Sequence, residues 1–219
     1  KNTMHKIFAL LLGCCAVMPA MADDWYNDDY NTGYATSARR DNYVGIRLHK
    51  NEHIAFKHDI HGGATVTPTD DNFAIGINVG NRLTDNVKIE FETAYTGAKF
   101  TRYGTKHDYD IWSNMLNVYL YQTFGGAVEP YAGLGIGLTG IWGEIRGAAP
   151  HISDSTLDLS LQAMFGVNFA LNDRVDLNLG AKYVRYGRLE FETSGNEYAT
   201  TRIDATEIYI GAAYKFGLK

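Results

Sequence analysis

Cysteine is nearly missing from this 219-residue chain; Cys14 and Cys15 stand side by side near its start and no other follows. If that first segment is removed as a leader, neither a disulfide framework nor a thiol catalyst is possible. Positive charge is also short. Lys and Arg number 20 against 25 Asp and Glu, a net −5, which argues against nucleic acid as a partner. No stretch reaches the roughly 18 consecutive apolar residues that a membrane-spanning helix needs. Prolines are only 4, while aromatics make up 13 % and glycines number 23, a strand-rich composition.

The first 22 residues read as an export signal. Lys1 and Lys6 form a positive start, Ile7 to Val17 an apolar core, and Ala20-Met21-Ala22 a small-residue cleavage site. Leu11-Leu12-Gly13-Cys14 offers an alternative, since it loosely resembles a lipoprotein box that would lipidate Cys14. Cleavage after Ala22 is the reading adopted. Residues 23–41 hold acids, Gly and Tyr without a sustained period and read as a flexible lead-in. Residues 42–219 are then one domain.

Within that domain, alternation at period two predicts eight strands near 42–50, 72–81, 87–96, 110–124, 131–144, 155–171, 175–191 and 202–216. Three connections are tight: 82–86, 125–130 and 172–174. Four are long: 51–71, 97–109, 145–154 and 192–201. Strict short-long alternation is the pattern of an all-β, antiparallel, up-and-down barrel that crosses an outer membrane, with short periplasmic turns and long outer loops. Leu157, Leu159, Leu161, Ala163, Phe165, Val167 and Phe169 share one face of the sixth strand, opposite Asp158, Ser160, Gln162 and Asn168. In lipid the apolar face points outward.

Aromatic residues bracket the apolar faces. Tyr95, Trp112, Trp142 and Tyr183 fall at the outer ends, and Phe124, Phe169, Tyr214 and Phe216 at the inner ends, as an interfacial girdle requires. The opposite faces carry Arg47, Lys88, Glu90, Glu92, Asp158, Asp176, Lys182, Glu207 and Lys215, charges of both signs expected to pair inside the barrel. The inward glycines of the fifth strand, Gly133, Gly135 and Gly137, leave space that a small cavity could occupy.

Asn117-Val118-Tyr119-Leu120-Tyr121, the run Val128-Glu129-Pro130-Tyr131-Ala132-Gly133-Leu134-Gly135-Ile136-Gly137 and the ending Gly211-Ala212-Ala213-Tyr214-Lys215-Phe216 resemble the OmpA-like and opacity-type superfamily of small outer-membrane barrels, which includes bacterial surface antigens. The ending also resembles the signal read by the barrel-assembly machinery, although Gly217-Leu218-Lys219 follow the last aromatic. The resemblance implies outer-membrane lipid and lipopolysaccharide as surroundings. It implies a non-enzymatic role in which outer loops meet host, matrix or envelope molecules. Ile54, Ala55 and Phe56 are the apolar contact candidates in the first loop. A narrow channel for small solutes is the alternative.

Two further patterns carry chemistry. His49, His53, His58 and His61 crowd into thirteen residues and are weak candidates for Zn²⁺ or Cu²⁺; the spacing matches no structural site, so no metal or cofactor is expected. His151-Ile152-Ser153 is similar to the His-x-Ser pair of a lipid A deacylase class, but the strand pattern puts it in an outer loop, away from lipid, so no enzyme is expected.

Overall fold

The computed structural model describes residues 42–59, 64–66, 72–102, 105–122, 127–146, 152–193 and 196–216. Among these, eight long antiparallel strands close into a barrel: β1 (Asn42–Asp59), β3 (Asn72–Arg82), β4 (Val87–Arg102), β5 (Thr105–Tyr121), β6 (Val128–Arg146), β7 (Ile152–Ala170), β8 (Val175–Thr193) and β9 (Asn196–Phe216). A three-residue strand, β2 (Ala64–Val66), adds to the far end of β1 through Phe56↔Val66 to His58↔Ala64. The eight long strands pair in chain order, and β9 returns to β1 from Asn42↔Phe216 upward, so the described strands close with no free edge in the part spanned by the apolar band.

The turns follow from local chemistry. Thr84 Oγ1 accepts the amides of Asn86 and Val87 at 3.3 and 3.1 Å, while Leu83 N–H closes onto Val87 O at 2.9 Å. Asn172 Oδ1 does the same for Arg174 and Val175, at 2.8 and 2.9 Å. Short polar side chains of this kind replace the missing ladder bonds of a tight reversal. Both turns lie at the end that holds Asn42 and Phe216, the periplasmic end of such a barrel.

Side chains alternate through most of the wall. Ile46, Leu48, Ile75, Ile77, Leu134, Ile136, Leu159, Leu161, Leu179 and Ile210 stand exposed on the outside, while most of their strand neighbours are buried. Along β7 the outward apolar row runs from Leu157 to Phe169. Twelve steps at about 3.3 Å, tilted about 40°, span on the order of 30 Å, the depth of a bilayer's hydrocarbon core. A water-soluble barrel would show the reverse, apolar inside and polar outside.

The strands run further outward than the alternation predicts. Residues 51–59, 97–102 and 105–109, read as loop from the sequence, belong to β1, β4 and β5, and residues 145–146 and 152–154 to β6 and β7. The apolar rhythm stops where lipid stops, but ladder hydrogen bonds continue regardless of side-chain polarity. Register shifts at Asn51/His53 in β1 and at Arg185/Gly187 in β8 re-aim the side chains beyond the bilayer.

One seam interrupts the wall. The β7–β8 ladder runs from Ala170↔Asp176 to Leu161↔Arg185 and stops, although both strands continue outward. Side chains take over there. Asp158 Oδ2 accepts the Arg188 amide at 2.8 Å, and the Ser160 hydroxyl lies 2.9 Å from the Tyr186 carbonyl. Gly187 adopts φ 117°, and a Cβ on it would sit 2.6 Å from Asp158 Cβ, so glycine is what lets the two strands close on this carboxylate.

Candidate functional site

The barrel interior is the candidate site, and it is filled. At its centre Arg47 Nη1 donates to Glu90 Oε1 at 2.6 Å and Nη2 to Glu90 Oε2 at 2.9 Å, a bidentate pair, while Nη1 also bonds Glu92. Glu90 further accepts from Tyr43 OH (2.9 Å), Asn78 Nδ2 (2.8 Å) and Tyr119 OH (2.9 Å). Lys182 Nζ bridges Glu92 and Glu207 at 3.2 Å each. Glu207 is also bonded by Tyr186 OH and lies 3.1 Å from His49 Nδ1. All of these groups are buried. Isolated buried ions cost several kcal/mol each, so only a fully paired cluster is tolerable here.

Toward the periplasm the pairs become separate. Arg82 meets Glu129 at 2.6 Å, with Asn168 Nδ2 on the other carboxylate oxygen at 3.2 Å, and Lys215 meets Asp176 at 2.8 Å. Lys88 instead caps the Tyr121 ring, 3.9 Å from its centroid. A cavity of about 20 Å³ lies among Tyr43, Arg47, Lys88, Glu90, Tyr121 and Asp176, room for about one water. Toward the outside the filling changes character. Ile54, Tyr109, Ile111, Ile141, Val184 and Ile203 pack into an apolar cluster that is almost wholly buried.

Arg47, Lys88, Glu90, Glu92, Asp176, Lys182, Glu207 and Lys215 therefore all face the interior. Asp158 does not join their pairs; its two carboxylate oxygens hold the backbone amides of Leu159 and Arg188 at the seam. The tyrosines Tyr43, Tyr119, Tyr131, Tyr186 and Tyr209 are equally part of the filling and were missed, although their alternation with outward Val and Leu was legible. The glycines of β6 do not leave a cavity. A Cβ on Gly133 would fall 2.6 Å from the Tyr119 ring and one on Gly135 would strike the Asn117 side chain, while Gly137 makes room for the Asn114 backbone carbonyl.

The loop contact candidates are relocated. Ile54 lies on β1 inside the outer apolar cluster, 3 % exposed, and Ala55 and Phe56 follow it in the strand. The histidine cluster disperses for the same reason. His49 is buried beside Glu207, and His53 and His58 stand further along β1, four and nine residues on, about 13 and 30 Å at strand rise. His61 lies outside the described residues, and among the described residues no group of His, Cys, Asp and Glu is placed to share a metal. Ser153 is in β7 opposite Glu144 rather than in a loop; His151 lies outside the described residues. Tyr95, Tyr183, Phe169, Tyr214 and Phe216 are exposed on the lipid side, with Trp112 and Trp142 half-buried there; Phe124, like residues 1–41, lies outside the described residues.

No curated protein sequence matches the chain. Solved structures do share its fold. OprG from Pseudomonas aeruginosa is 17 % identical over 82 % of this chain and 96 % of its own, with a TM-score of 0.57. Neisserial surface protein A is 17 % identical over 80 % and 97 %, TM-score 0.55. Ail, the attachment invasion locus protein of Yersinia pestis, seen with the heparin analogue sucrose octasulfate, is 14 % identical over 81 % and 99 %, TM-score 0.50. The model of the outer membrane protein beta-barrel domain matches residues 7–216. With its closed eight-stranded wall and apolar outer surface, the chain belongs to that family and is a bacterial outer-membrane protein.

Proposed function

We propose that this protein is a non-enzymatic surface protein, anchored by a sealed barrel, whose strand extensions and loops beyond the lipid contact molecules outside the cell. The observation that carries this reading is the filled interior. Buried ion pairs occupy the middle, an apolar cluster closes the outer half, and the cavity near the periplasmic end has room for about one water. Among the described residues the interior carboxylates are engaged with Arg47, Lys182, His49 and the tyrosines rather than turned toward an open cleft. Function then falls to what projects past the bilayer, where β1 and β4 to β9 extend the wall.

Ail supports surface contact as a role for a barrel of this shape. A net charge of −5 argues against the same sulfated class of ligand here. Outer-membrane lipid and lipopolysaccharide would surround the apolar band. The outward row Ile208, Ile210, Ala212, Tyr214 and Phe216 on the strand that closes the barrel supports delivery by the barrel-assembly machinery.

Planar-bilayer recording tests the sealed barrel. The expected record is silent at salt concentrations where open pores conduct. Stable conductance that changes on Glu90→Gln or Lys182→Gln would favour a narrow channel instead. Attachment of expressing cells to host or matrix surfaces should fall when residues 60–71 are exchanged for a short Gly-Ser link while the barrel stays folded. Unchanged attachment would remove that segment from the contact surface.

A further inference from the structure

On the lipid side of β4 and β5, just inside the outer interface, a polar chain interrupts the apolar band. Trp112 Nε1 donates to Thr93 Oγ1 at 2.8 Å, and Thr93 Oγ1 to Asn114 Oδ1 at 3.0 Å. One row further out, Tyr95 OH donates to Asp110 at 2.5 Å. These groups satisfy each other, except at the end of the chain. The Asn114 amide N–H₂ has no acceptor among the described residues. Turning the amide over would let one N–H reach Thr93 but would still leave the other unmet.

Asn114 is outward by register, opposite Thr93 on β4 and Leu138 on β6, with inward Met115 beside it. It nevertheless keeps only 9 % of its surface. Water is scarce there, and an unmet polar group in that setting costs several kcal/mol. The same face continues inward as Leu116, Val118 and Leu120, so Asn114 is the last amide before the apolar band; Thr93 uses its carbonyl oxygen, and its N–H₂ is left to meet an acceptor from outside the wall.

Depth identifies the acceptor. Trp112 marks the headgroup level, where interfacial tryptophans sit. Asn114 is two residues closer to the midplane, about 7 Å along the strand and about 5 Å in depth at a tilt near 40°. That is where the ester and amide carbonyls of lipid acyl chains lie. Because the tight turns mark the periplasmic end, this leaflet is the outer one. We infer that Asn114, held by Thr93 and Trp112, is a lipid-binding residue that donates a hydrogen bond to an acyl carbonyl of an outer-leaflet lipid, fixing one lipid against β4–β5.

The test compares bilayers of a diester phosphatidylcholine with its diether analogue, which has the same chains and headgroup but no carbonyl. In the ester lipid the side-chain amide protons of Asn114 should resonate further downfield and exchange more slowly. The unfolding equilibrium constant should be on the order of tenfold smaller than in the ether lipid, the worth of one well-made buried hydrogen bond. In Asn114→Leu the two lipids should become equivalent. Identical amide signals in both lipids, or a stability difference that survives Asn114→Leu, would overturn the proposal. So would amide protection that is equal in both lipids and vanishes as protein is diluted into lipid, which would make a second copy of the chain the acceptor.

Discussion

Arg47 and Glu90 meet fork to fork at the centre of the barrel, with both guanidinium arms on both carboxylate oxygens at 2.6 and 2.9 Å and neither residue more than 5 % exposed. Removing one partner strands the other in a low-dielectric interior. Arg47→Leu and Glu90→Ala should each cost about 3–5 kcal/mol. The double variant should cost clearly less than the sum, because neither charge is then left alone. Urea unfolding in lipid vesicles measures all three; strict additivity would mean that the pair is not the unit of stability.

Gly133 leaves room for the Tyr119 ring, and Gly133→Val would drive a branched side chain into it. Overpacking of this kind costs roughly 1–3 kcal/mol. Pairing Gly133→Val with Tyr119→Ala should recover part of the loss if the contact is the cause. The same unfolding assay decides; no recovery would place the cost elsewhere.

The seam between β7 and β8 should be the loosest part of the wall. Amides of residues 152–160 on the β8 side and 186–193 on the β7 side should exchange with solvent faster than those of 161–170 and 176–185, which the ladder holds. Asp158→Ala should release the Arg188 amide in particular, since Asp158 is its acceptor. Hydrogen exchange followed by mass spectrometry resolves these segments. Uniform protection along both strands would contradict the interrupted ladder.

Much of this was legible in the sequence because lipid imposes a simple rule on side chains. Within the bilayer the alternation of Lys88, Glu90 and Glu92 with Ile89 and Phe91 settles which way each residue points. Which charges pair was not legible, because Arg47 and Glu90 lie 43 residues apart and meet only through barrel closure. The strand ends were lost where water replaces lipid and polarity stops alternating, so Ile54 was read as a loop contact when it is packed inside β1. Asp158 shared the inward parity of the ion-paired set, but a register shift across from it gave it backbone amides to hold instead.

Leu161 and Gln162 are neighbours with opposite fates: Leu161 is 48 % exposed on the outside, and Gln162 is buried with its Nε2 donating to Asn117 at 2.7 Å. Leu161→Arg should cost about 2–4 kcal/mol by placing a cation near the bilayer midplane. Gln162→Arg meets an interior already filled by Asn117 and the chain at Gly135, so it too should destabilise, by crowding rather than by lipid exposure. Vesicle unfolding of the two variants checks both costs. A neutral Gln162→Arg would mean that the interior is less full than described.

The most direct measurement places a single fluorophore, through an introduced cysteine, at each position from 157 to 169 of β7 in lipid vesicles containing a lipid-borne quencher. Odd positions should be quenched, most strongly midway along the series, and even positions should be spared because they face the filled interior. A folded protein in which the odd positions escape quenching, or in which both series are quenched alike, would contradict the lipid-facing assignment on which the account of this barrel rests.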